Sequence, residues 1–184
     1  MRHYERRLPH WDVIDQPQFV TFRLHGSLPP NRVFPPDVLS TSGQAFRAMD
    51  RILDHGGTGS VLLSLLEIAA MVEAALQDGE RKFHRYQLHS YVVMPNHVHM
   101  LVTPTVTSSH WLGPLKGFTA YQANKILDTH GKPFWQDESY DHLVRSEKEF
   151  ERIRAYIEQN PVKAGLVTHA EAFPWSNARV LTAD

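Results

Sequence analysis

Residues 86–103 read YQLHSYVVMPNHVHMLVT, and this stretch decides the fold. From Tyr86 the sequence alternates in the manner of a β-strand with two different faces. The alternation places Tyr86, Leu88, Ser90, Val92 and Met94 on one face and Gln87, His89, Tyr91 and Val93 on the other. Pro95 and Asn96 then predict a turn, after which residues 97–103 resume as a strand. We therefore expect an antiparallel hairpin at the centre of a sheet.

A further strand and two helices are predicted before this hairpin. Residues 19–25, FVTFRLH, are rich in β-branched and aromatic side chains and predict a first strand. Residues 61–76 repeat leucine, alanine and valine at intervals of three and four, which predicts an amphipathic helix. A helix over residues 38–53 is also expected, with an interruption at residues 40–43.

Two more helices are predicted after the hairpin. The first covers residues 111–127, and the second opens with a capping box at residues 146–149. Phe150, Ile153 and Ile157 form the apolar stripe of the second helix. The expected fold class is α+β, a ferredoxin-like antiparallel sheet with helices packed on it and the two histidines of the hairpin on a central strand.

Composition limits the chemistry that the chain can perform. The 184 residues include 12 histidines and no cysteine, and the formal net charge is −1. Disulfides and thiol nucleophiles are therefore excluded, and a metal must be held by His, carboxylate, amide or water. A charge near zero means that binding to nucleic acid depends on a local basic groove.

The length fits a single domain over residues 1–184, in which residues 1–16 and 171–184 are expected to be peripheral extensions. The first twenty residues lack the apolar region of a signal peptide, and the apolar stretch at residues 61–76 is interrupted by polar side chains. We therefore expect a cytoplasmic protein with no membrane partner.

His97 and His99 are two residues apart on a predicted strand, so their side chains point to the same face. Val98 and Met100 point to the other face. Two such imidazoles form a clamp for a divalent metal ion. The alternative is that the pattern arose by chance in a histidine-rich chain. The apolar neighbours favour the clamp, because each buried imidazole needs partners for two ring nitrogens.

Tyr156 and Asn160 lie four residues apart on the last long predicted helix, so they share one side of it. Taken alone, the tyrosine more often indicates half-buried packing with its hydroxyl at the surface than a nucleophile. Tyr121 and Tyr140 offer alternative hydroxyls, and spacing does not exclude them.

Several segments together resemble the REP-associated tyrosine transposases, a branch of the single-tyrosine HUH, or IS200-like, transposase family. The segments are YVVMPNHVHMLV at 91–102, FWQ at 134–136, YDH at 140–142 and YIEQNPVKAGLV at 156–167. They occur in the family's order at similar spacing, and the similarity covers about residues 17–170. The first and last segments are far more specific than a His-x-His pair or a lone tyrosine.

The resemblance implies a metal-dependent endonuclease and strand transferase that acts on single-stranded DNA with a hairpin. It assigns His97, His99 and Asn160 to the metal and makes Tyr156 the nucleophile, which forms a 5′-phosphotyrosine intermediate. Mixed nitrogen and oxygen ligands favour Mg²⁺ or Mn²⁺. The expected assembly is a monomer or homodimer. Two other functions stay open, a domesticated protein that binds DNA hairpins without cutting them and a metal-dependent phosphoesterase that needs no tyrosine.

Basic and aromatic residues in the second half of the chain are candidates for a track that holds DNA phosphates and bases. The predicted DNA-binding residues are Lys116, Lys125, Arg145, Arg152, Lys163 and Trp135. Asp141 and His142 precede the helix of Tyr156, and we expect them to have a structural or DNA-positioning role.

Overall fold

The computed structural model describes residues 2–5, 9–28, 48, 50–53 and 59–180. Its strands are β1 (Arg2–Glu5), β2 (Pro9–Asp12), β3 (Gln18–Arg23), β4 (Tyr86–Val93), β5 (His97–Pro104) and β6 (Tyr140–Leu143). Its helices are α1 (Leu66–Arg81), α2 (Ser108–Ile126), α3 (Glu147–Glu158) and the short α4 (Asn160–Lys163). Two 3₁₀ turns, Leu62–Ser64 and Ala170–Ala172, complete these elements.

The main sheet contains four antiparallel strands in the order β4-β5-β3-β6, while β1 and β2 pair separately. From β3 onward the described strands and the long helices between them follow in the order strand, helix, strand, strand, helix, strand. This connectivity and strand order are ferredoxin-like, so the predicted fold class is confirmed. The histidines lie on β5, a central strand, as predicted. The expectation that both hairpin strands are central was wrong, because β4 lies at an edge.

A β-bulge reverses the faces of β4. The pairing of β4 with β5 passes over His89, which is an extra residue between two paired positions. One extra residue turns every later side chain to the opposite face of the sheet. Tyr91 and Val93 consequently share the larger core with Tyr86. The predicted alternation, which separated them from Tyr86, was therefore wrong beyond His89.

Helices α1 and α2 cover one face of the sheet and enclose the larger hydrophobic core. The core-facing stripe of α1 includes Ile68, Val72 and Leu76, which follow one another at intervals of four residues. In α2 the buried Trp111 ring packs edge-on against Tyr86, with ring centroids 5.3 Å apart. No helix in the described part of the chain is long and apolar enough to cross a membrane.

Helix α3 covers the opposite face over a smaller core. Ile153 and Ile157 are buried there, as the apolar stripe predicted. At the N-terminus of α3, the Ser146 hydroxyl accepts a hydrogen bond from the Glu149 backbone N–H, which confirms the predicted cap. The Glu149 carboxylate accepts a hydrogen bond from the backbone N–H of Arg145, one residue before the position that a capping box uses.

Several predicted helix boundaries differ from the observed ones. Helix α1 starts five residues later than predicted, because Leu62–Ser64 forms a separate 3₁₀ turn, and it continues to Arg81. Helix α2 starts three residues earlier, at Ser108. The predicted helix at 38–53 lies outside the described residues except at its end, where residues 48 and 50–53 are helical.

The chain after α4 returns to the exposed edge of β4. The Val93 backbone N–H donates to the Trp175 carbonyl oxygen at 2.8 Å. The Asn177 side-chain oxygen accepts hydrogen bonds from the Tyr91 backbone N–H at 2.7 Å and the Ser90 hydroxyl at 2.9 Å. These bonds occupy part of an edge that would otherwise be open to pairing with another strand.

The close approach of α1 to β4 depends on Gly79, since a Cβ there would lie 2.1 Å from the Tyr86 hydroxyl. That hydroxyl is buried and donates to the Leu76 carbonyl oxygen at 2.7 Å. We predict that Gly79→Ala lowers the free energy of unfolding by about 1–3 kcal/mol, because the Tyr86 ring must shift. In the matched control, Gly117→Ala on α2, the new Cβ meets nothing within 4 Å.

The Gly117→Ala control should raise the free energy of unfolding by about 0.5–1 kcal/mol through helix propensity. Urea denaturation followed by circular dichroism measures both changes. Equal stabilisation by both alanines would show that α1 and β4 are not in close contact.

Candidate metal centre and nucleophile

The two histidines of β5 are fully buried beneath α3. His97 and His99 each have 0% of their surface exposed. Val98 and Met100 belong to the larger core on the other face, which confirms the predicted division of faces. The Nε2 atoms of the two imidazoles lie 3.0 Å apart. Both rings thus present a nitrogen to the same point inside the protein.

The Nδ1 atom of each imidazole has its own polar partner. The Asn96 side-chain NH₂ donates to the Leu53 carbonyl oxygen at 2.9 Å, which turns its oxygen toward Nδ1 of His97 at 2.6 Å. Nδ1–H of His97 therefore donates to Asn96, and Nε2 keeps its lone pair. Across the β3–β5 ladder, the Thr21 hydroxyl lies 2.7 Å from Nδ1 of His99. These contacts fix the orientation in which both Nε2 atoms converge.

Asp50 supplies a third ligand atom that the sequence did not reveal. Its Oδ1 lies 3.1 Å from Nε2 of His99 and 3.8 Å from Nε2 of His97. Asp50 is 3% exposed, and this oxygen has no hydrogen bond within the part of the chain that the structure describes. Two nitrogens at about 2.1 Å from one metal ion and at a right angle would lie about 3.0 Å apart. The observed spacing therefore fits a shared metal ion.

The charges of these groups also favour a cation. Burial alone would raise the pKa of Asp50, but the charges of His99, His97 and Lys163 outweigh it and hold that pKa below its ordinary value. Burial, assisted by the neighbouring His99, lowers the pKa of His97 to about 3. At neutral pH the site thus combines a carboxylate with a neutral imidazole. A divalent cation compensates such a buried negative charge.

Asn160 begins α4, is separated from the end of α3 only by Gln159, and is completely buried. Neither its side-chain oxygen nor its side-chain nitrogen has a hydrogen-bond partner among the described residues. A buried amide that makes no hydrogen bond destabilises a protein by about 1–3 kcal/mol. Such an orphaned group suits a role toward a bound ion, as predicted for Asn160, and that role stays a prediction.

Tyr156 lies on α3, half-buried, one turn before Asn160. Its ring centroid is 5.7 Å from that of His99 and 6.1 Å from that of Phe19, against which it packs edge-on. The Lys163 ammonium lies 4.7 Å from the centroid of the Tyr156 ring. A tyrosine, a cation and the histidine clamp therefore occupy one neighbourhood.

The two alternative tyrosines differ in their positions. Tyr121 is 65% exposed on α2, on the face of the sheet opposite the histidines. Tyr140 pairs with Thr21 in the β3–β6 ladder and therefore shares the histidine face. Its ring packs edge-on against Phe19 at 6.2 Å. The structure thus separates Tyr121 from the metal centre and leaves Tyr140 as the nearer alternative.

The predicted DNA-binding residues divide into two groups. Arg145, Arg152 and Lys163 are exposed on or beside α3 and α4, on the side of the metal centre. Lys116 and Lys125 lie on α2, across the sheet. The Lys116 ammonium donates to the backbone carbonyl oxygens of Gln136 and Asp137, at 2.7 and 2.9 Å, and so holds the loop before β6.

The prediction that Trp135 stacks on DNA bases was wrong. The residue is only 5% exposed and packs against Phe22 with ring centroids 4.8 Å apart. Its indole N–H donates to the Thr119 hydroxyl of α2 at 2.8 Å. Because the ring lies in the core, no face is available to a base. On β6, Nε2 of His142 lies 3.0 Å from the Glu149 carboxylate, which ties this strand to α3.

A ferredoxin-like sheet with a buried His-x-His pair on a central strand and a tyrosine on the helix above it defines a single-tyrosine HUH protein. The model of the family described as "Transposase IS200 like" matches residues 67–160, just over half of the chain. The protein belongs to this family, as the sequence segments predicted.

The chain is similar to proteins known by sequence and by structure. A REP-associated tyrosine transposase of Escherichia coli (strain K12) is 30% identical over 95 residues, which cover 50% of this chain and 53% of that protein. The match thus spans about half the length of that relative. The solved structure of a REP-associated tyrosine transposase bound to a REP hairpin superimposes with a TM-score of 0.57 at 21% identity. It covers 96% of this chain and 82% of that chain, and it supports the fold.

We predict that Asp50→Asn weakens Mn²⁺ binding by at least about 10-fold, because it removes the charge from the ligand set and keeps its shape. Titration calorimetry on the metal-free protein measures the affinity. Asp78→Asn is the matched control, since this carboxylate forms an ion pair with Lys82 on the surface of α1. Equal Mn²⁺ affinity in the two variants would exclude Asp50 as a ligand.

Asn160→Leu should have opposite effects on stability and metal binding. Removing the unpaired amide should raise the free energy of unfolding of the metal-free protein by about 1–2 kcal/mol, and Mn²⁺ should then stabilise the variant less than the wild type. Thermal denaturation with and without Mn²⁺ measures both.

The matched control for this change is Asn124→Leu. The Asn124 amide donates to the Lys132 carbonyl oxygen at 2.8 Å and accepts from the Thr129 hydroxyl at 3.0 Å. That variant should lose stability and respond normally to Mn²⁺. A loss of metal-free stability in Asn160→Leu would show that its amide has a partner in the folded protein.

Proposed function

We propose that the protein nicks and rejoins single-stranded DNA by transesterification, with Tyr156 as the nucleophile. The observation that carries this proposal is the position of the Tyr156 ring, 5.7 Å from His99 and one helical turn from the orphaned amide of Asn160. A phosphodiester bound at the metal centre would thus lie within reach of the tyrosine hydroxyl. Membership of the IS200-like transposase family supports the same reaction.

The reaction exchanges one phosphodiester for another. The Tyr156 oxygen forms a bond to phosphorus, the bond from phosphorus to the 3′-oxygen breaks, and the phenol proton passes to solvent while the 3′-oxygen takes up a proton. The products are a 5′-phosphotyrosine and a free 3′-hydroxyl. A different 3′-hydroxyl can reverse the attack, so strands are rejoined without ATP.

His97, His99, Asp50 and Asn160 are the residues that would hold the metal ion. When bound, the ion supplies Lewis-acid stabilisation of charge on the scissile phosphate. The carboxylate and amide oxygens are hard ligands and favour Mg²⁺ or Mn²⁺ over softer metals. The protein itself fixes the imidazoles through Asn96 and Thr21 and excludes water from the ligand set through burial.

The substrate proposed is single-stranded DNA beside a hairpin. A flexible backbone can be bent for in-line attack, which a stacked duplex resists. The structurally similar REP-associated transposase is bound to a REP hairpin, which supports the same class of ligand here. Arg145, Arg152 and Lys163 are exposed on the side of the metal centre, where Arg152 forms an ion pair with Glu149 at 3.3 Å. These cations would contact the DNA phosphates despite the net charge of −1.

Tyr156→Phe should abolish the covalent adduct and keep stability and DNA binding, because one oxygen is removed and the packed ring stays. The measurement uses single strands labelled at the 5′ or 3′ end, a denaturing gel and mass spectrometry of the DNA-linked peptide. Tyr140→Phe and Tyr121→Phe are the controls, and both should form the adduct at about the wild-type level.

Each competing function gives a different result in this assay. A phosphoesterase that uses metal-bound water would cut equally well with Tyr156→Phe and form no adduct. A DNA-binding protein would retain the hairpin and cut nothing. If the DNA-linked peptide contains Tyr140, the nucleophile is Tyr140 on β6 and not Tyr156.

A further inference from the structure

Lys163 is the last residue of α4 and lies beside the metal centre. It follows Asn160 by three residues, so the two side chains share one side of this helix. The helix is held in place, since Asn160 and Pro161 are buried and the Lys163 backbone N–H donates to the Gln159 carbonyl oxygen at 3.0 Å. The lysine itself is exposed. A fixed backbone thus carries an exposed ammonium on the side of a predicted metal ligand.

The Lys163 ammonium is close to both the nucleophile and the metal ligands. It lies 4.7 Å from the centroid of the Tyr156 ring, and that centroid is 5.7 Å from the centroid of the His99 ring. Burial alone would raise the pKa of Asp50, and the charge of Lys163 acts with those of the two histidines to hold this pKa below its ordinary value. A phosphate that contacts the metal ion while Tyr156 attacks it would therefore lie beside this ammonium.

A phosphate oxygen can replace water at this ammonium. Among the described residues no carboxylate forms an ion pair with Lys163, whereas Arg152 on α3 pairs with Glu149. The contact with the Tyr156 ring is a cation–π interaction, which depends on the charge of the ammonium and not on one particular N–H bond. An ammonium has three N–H donors. Lys163 is thus able to donate to an oxygen next to the ring while the ring contact persists.

From this arrangement we infer that Lys163 binds a non-bridging oxygen of the scissile phosphate while Tyr156 attacks. The two non-bridging oxygens carry the negative charge of the phosphodiester. They stay on phosphorus while the bond to the tyrosine oxygen forms and the bond to the 3′-oxygen breaks. A hydrogen bond from Lys163 to one of them stabilises the charge in the transition state, and the other faces the metal centre. The lysine keeps its proton throughout.

This inference rests on the proposed transesterification and deepens it. It is tested with single strands in which a methyl group replaces one non-bridging oxygen of the scissile phosphate, separated into the two diastereomers. One diastereomer lacks the oxygen that Lys163 binds, and the other keeps it. Lys163→Gln should slow adduct formation about 100–1000-fold on the phosphodiester and on the diastereomer that keeps this oxygen, and less than about 3-fold on the other diastereomer.

Lys148→Gln is the matched control for the loss of one positive charge. Lys148 is exposed on the first turn of α3, eight residues before Tyr156. The separation is about 12 Å along the helix. Because this exceeds the Debye length of about 8 Å, the variant should leave the rates on all three substrates within about 2-fold.

Two further measurements distinguish a phosphate contact from other effects. Lys163→Arg keeps the charge and should recover part of the phosphodiester rate. Titration calorimetry should show that Lys163→Gln binds Mn²⁺ at least as tightly as the wild type, because the variant removes a cation near Asp50. Weaker Mn²⁺ binding would attribute the slower reaction to the metal and would overturn the assignment.

The outcomes separate the two proposals. If the wild type forms no adduct at Tyr156 on the phosphodiester, the transesterification itself is wrong. If the wild type forms the adduct and Lys163→Gln slows all three substrates equally, the lysine acts on the tyrosine or on the fold and not on a phosphate oxygen. If the variant slows none of them, Lys163 has no part in the reaction.

Discussion

The structure depends on one constraint, the burial of two imidazoles and a carboxylate whose ligand atoms face one another. His97, His99 and Asp50 are almost fully enclosed, and their lone pairs converge within 4.8 Å. A buried carboxylate beside two imidazoles needs a compensating positive charge, because burial removes the water that would otherwise solvate it. The fold must therefore hold the three groups in place around the position of that charge. The contacts of Thr21 with Nδ1 of His99 and of Asn96 with Nδ1 of His97 help to hold the two rings, because they fix the ring orientations in the metal-free protein.

The antiparallel register of β3 and β5 determines which residues lie beside the metal ligands. Each pair of the ladder contributes one residue from each strand to the same face, so Thr21 and Arg23 are placed by the same pairing that places the histidines. Helix α3 then lies over the clamp because Ile153 and Ile157 are buried against the sheet.

The parts of this arrangement that follow local periodicity were predictable from the sequence. The shared face of His97 and His99, the Ser146 cap and the apolar stripe of α3 require only the periods of strand and helix. The faces of β4 were not predictable from the sequence, because no sequence signal distinguishes the extra residue His89 from a residue of regular alternation. Asp50 was missed for another reason. It reaches the site from a segment far away in the chain, and a single aspartate carries no spacing that would connect it to the histidines. The burial of Trp135 was also not predictable, because it depends on tertiary packing with α2.

The two faces of the sheet differ in the kinds of residue that they bury. The larger core, with α1 and α2, contains the aromatic and aliphatic residues that dominate apolar burial, and none of the predicted metal ligands projects into it. The face under α3 has a smaller core and contains side-chain atoms of Asp50 and Asn160 that have no hydrogen-bond partner among the described residues. Groups that destabilise the metal-free protein are therefore concentrated where the substrate is proposed to bind, and the opposite face compensates for them. We therefore expect substitutions on the α3 face to leave the fold intact more often than substitutions on the opposite face, which contains the larger hydrophobic core.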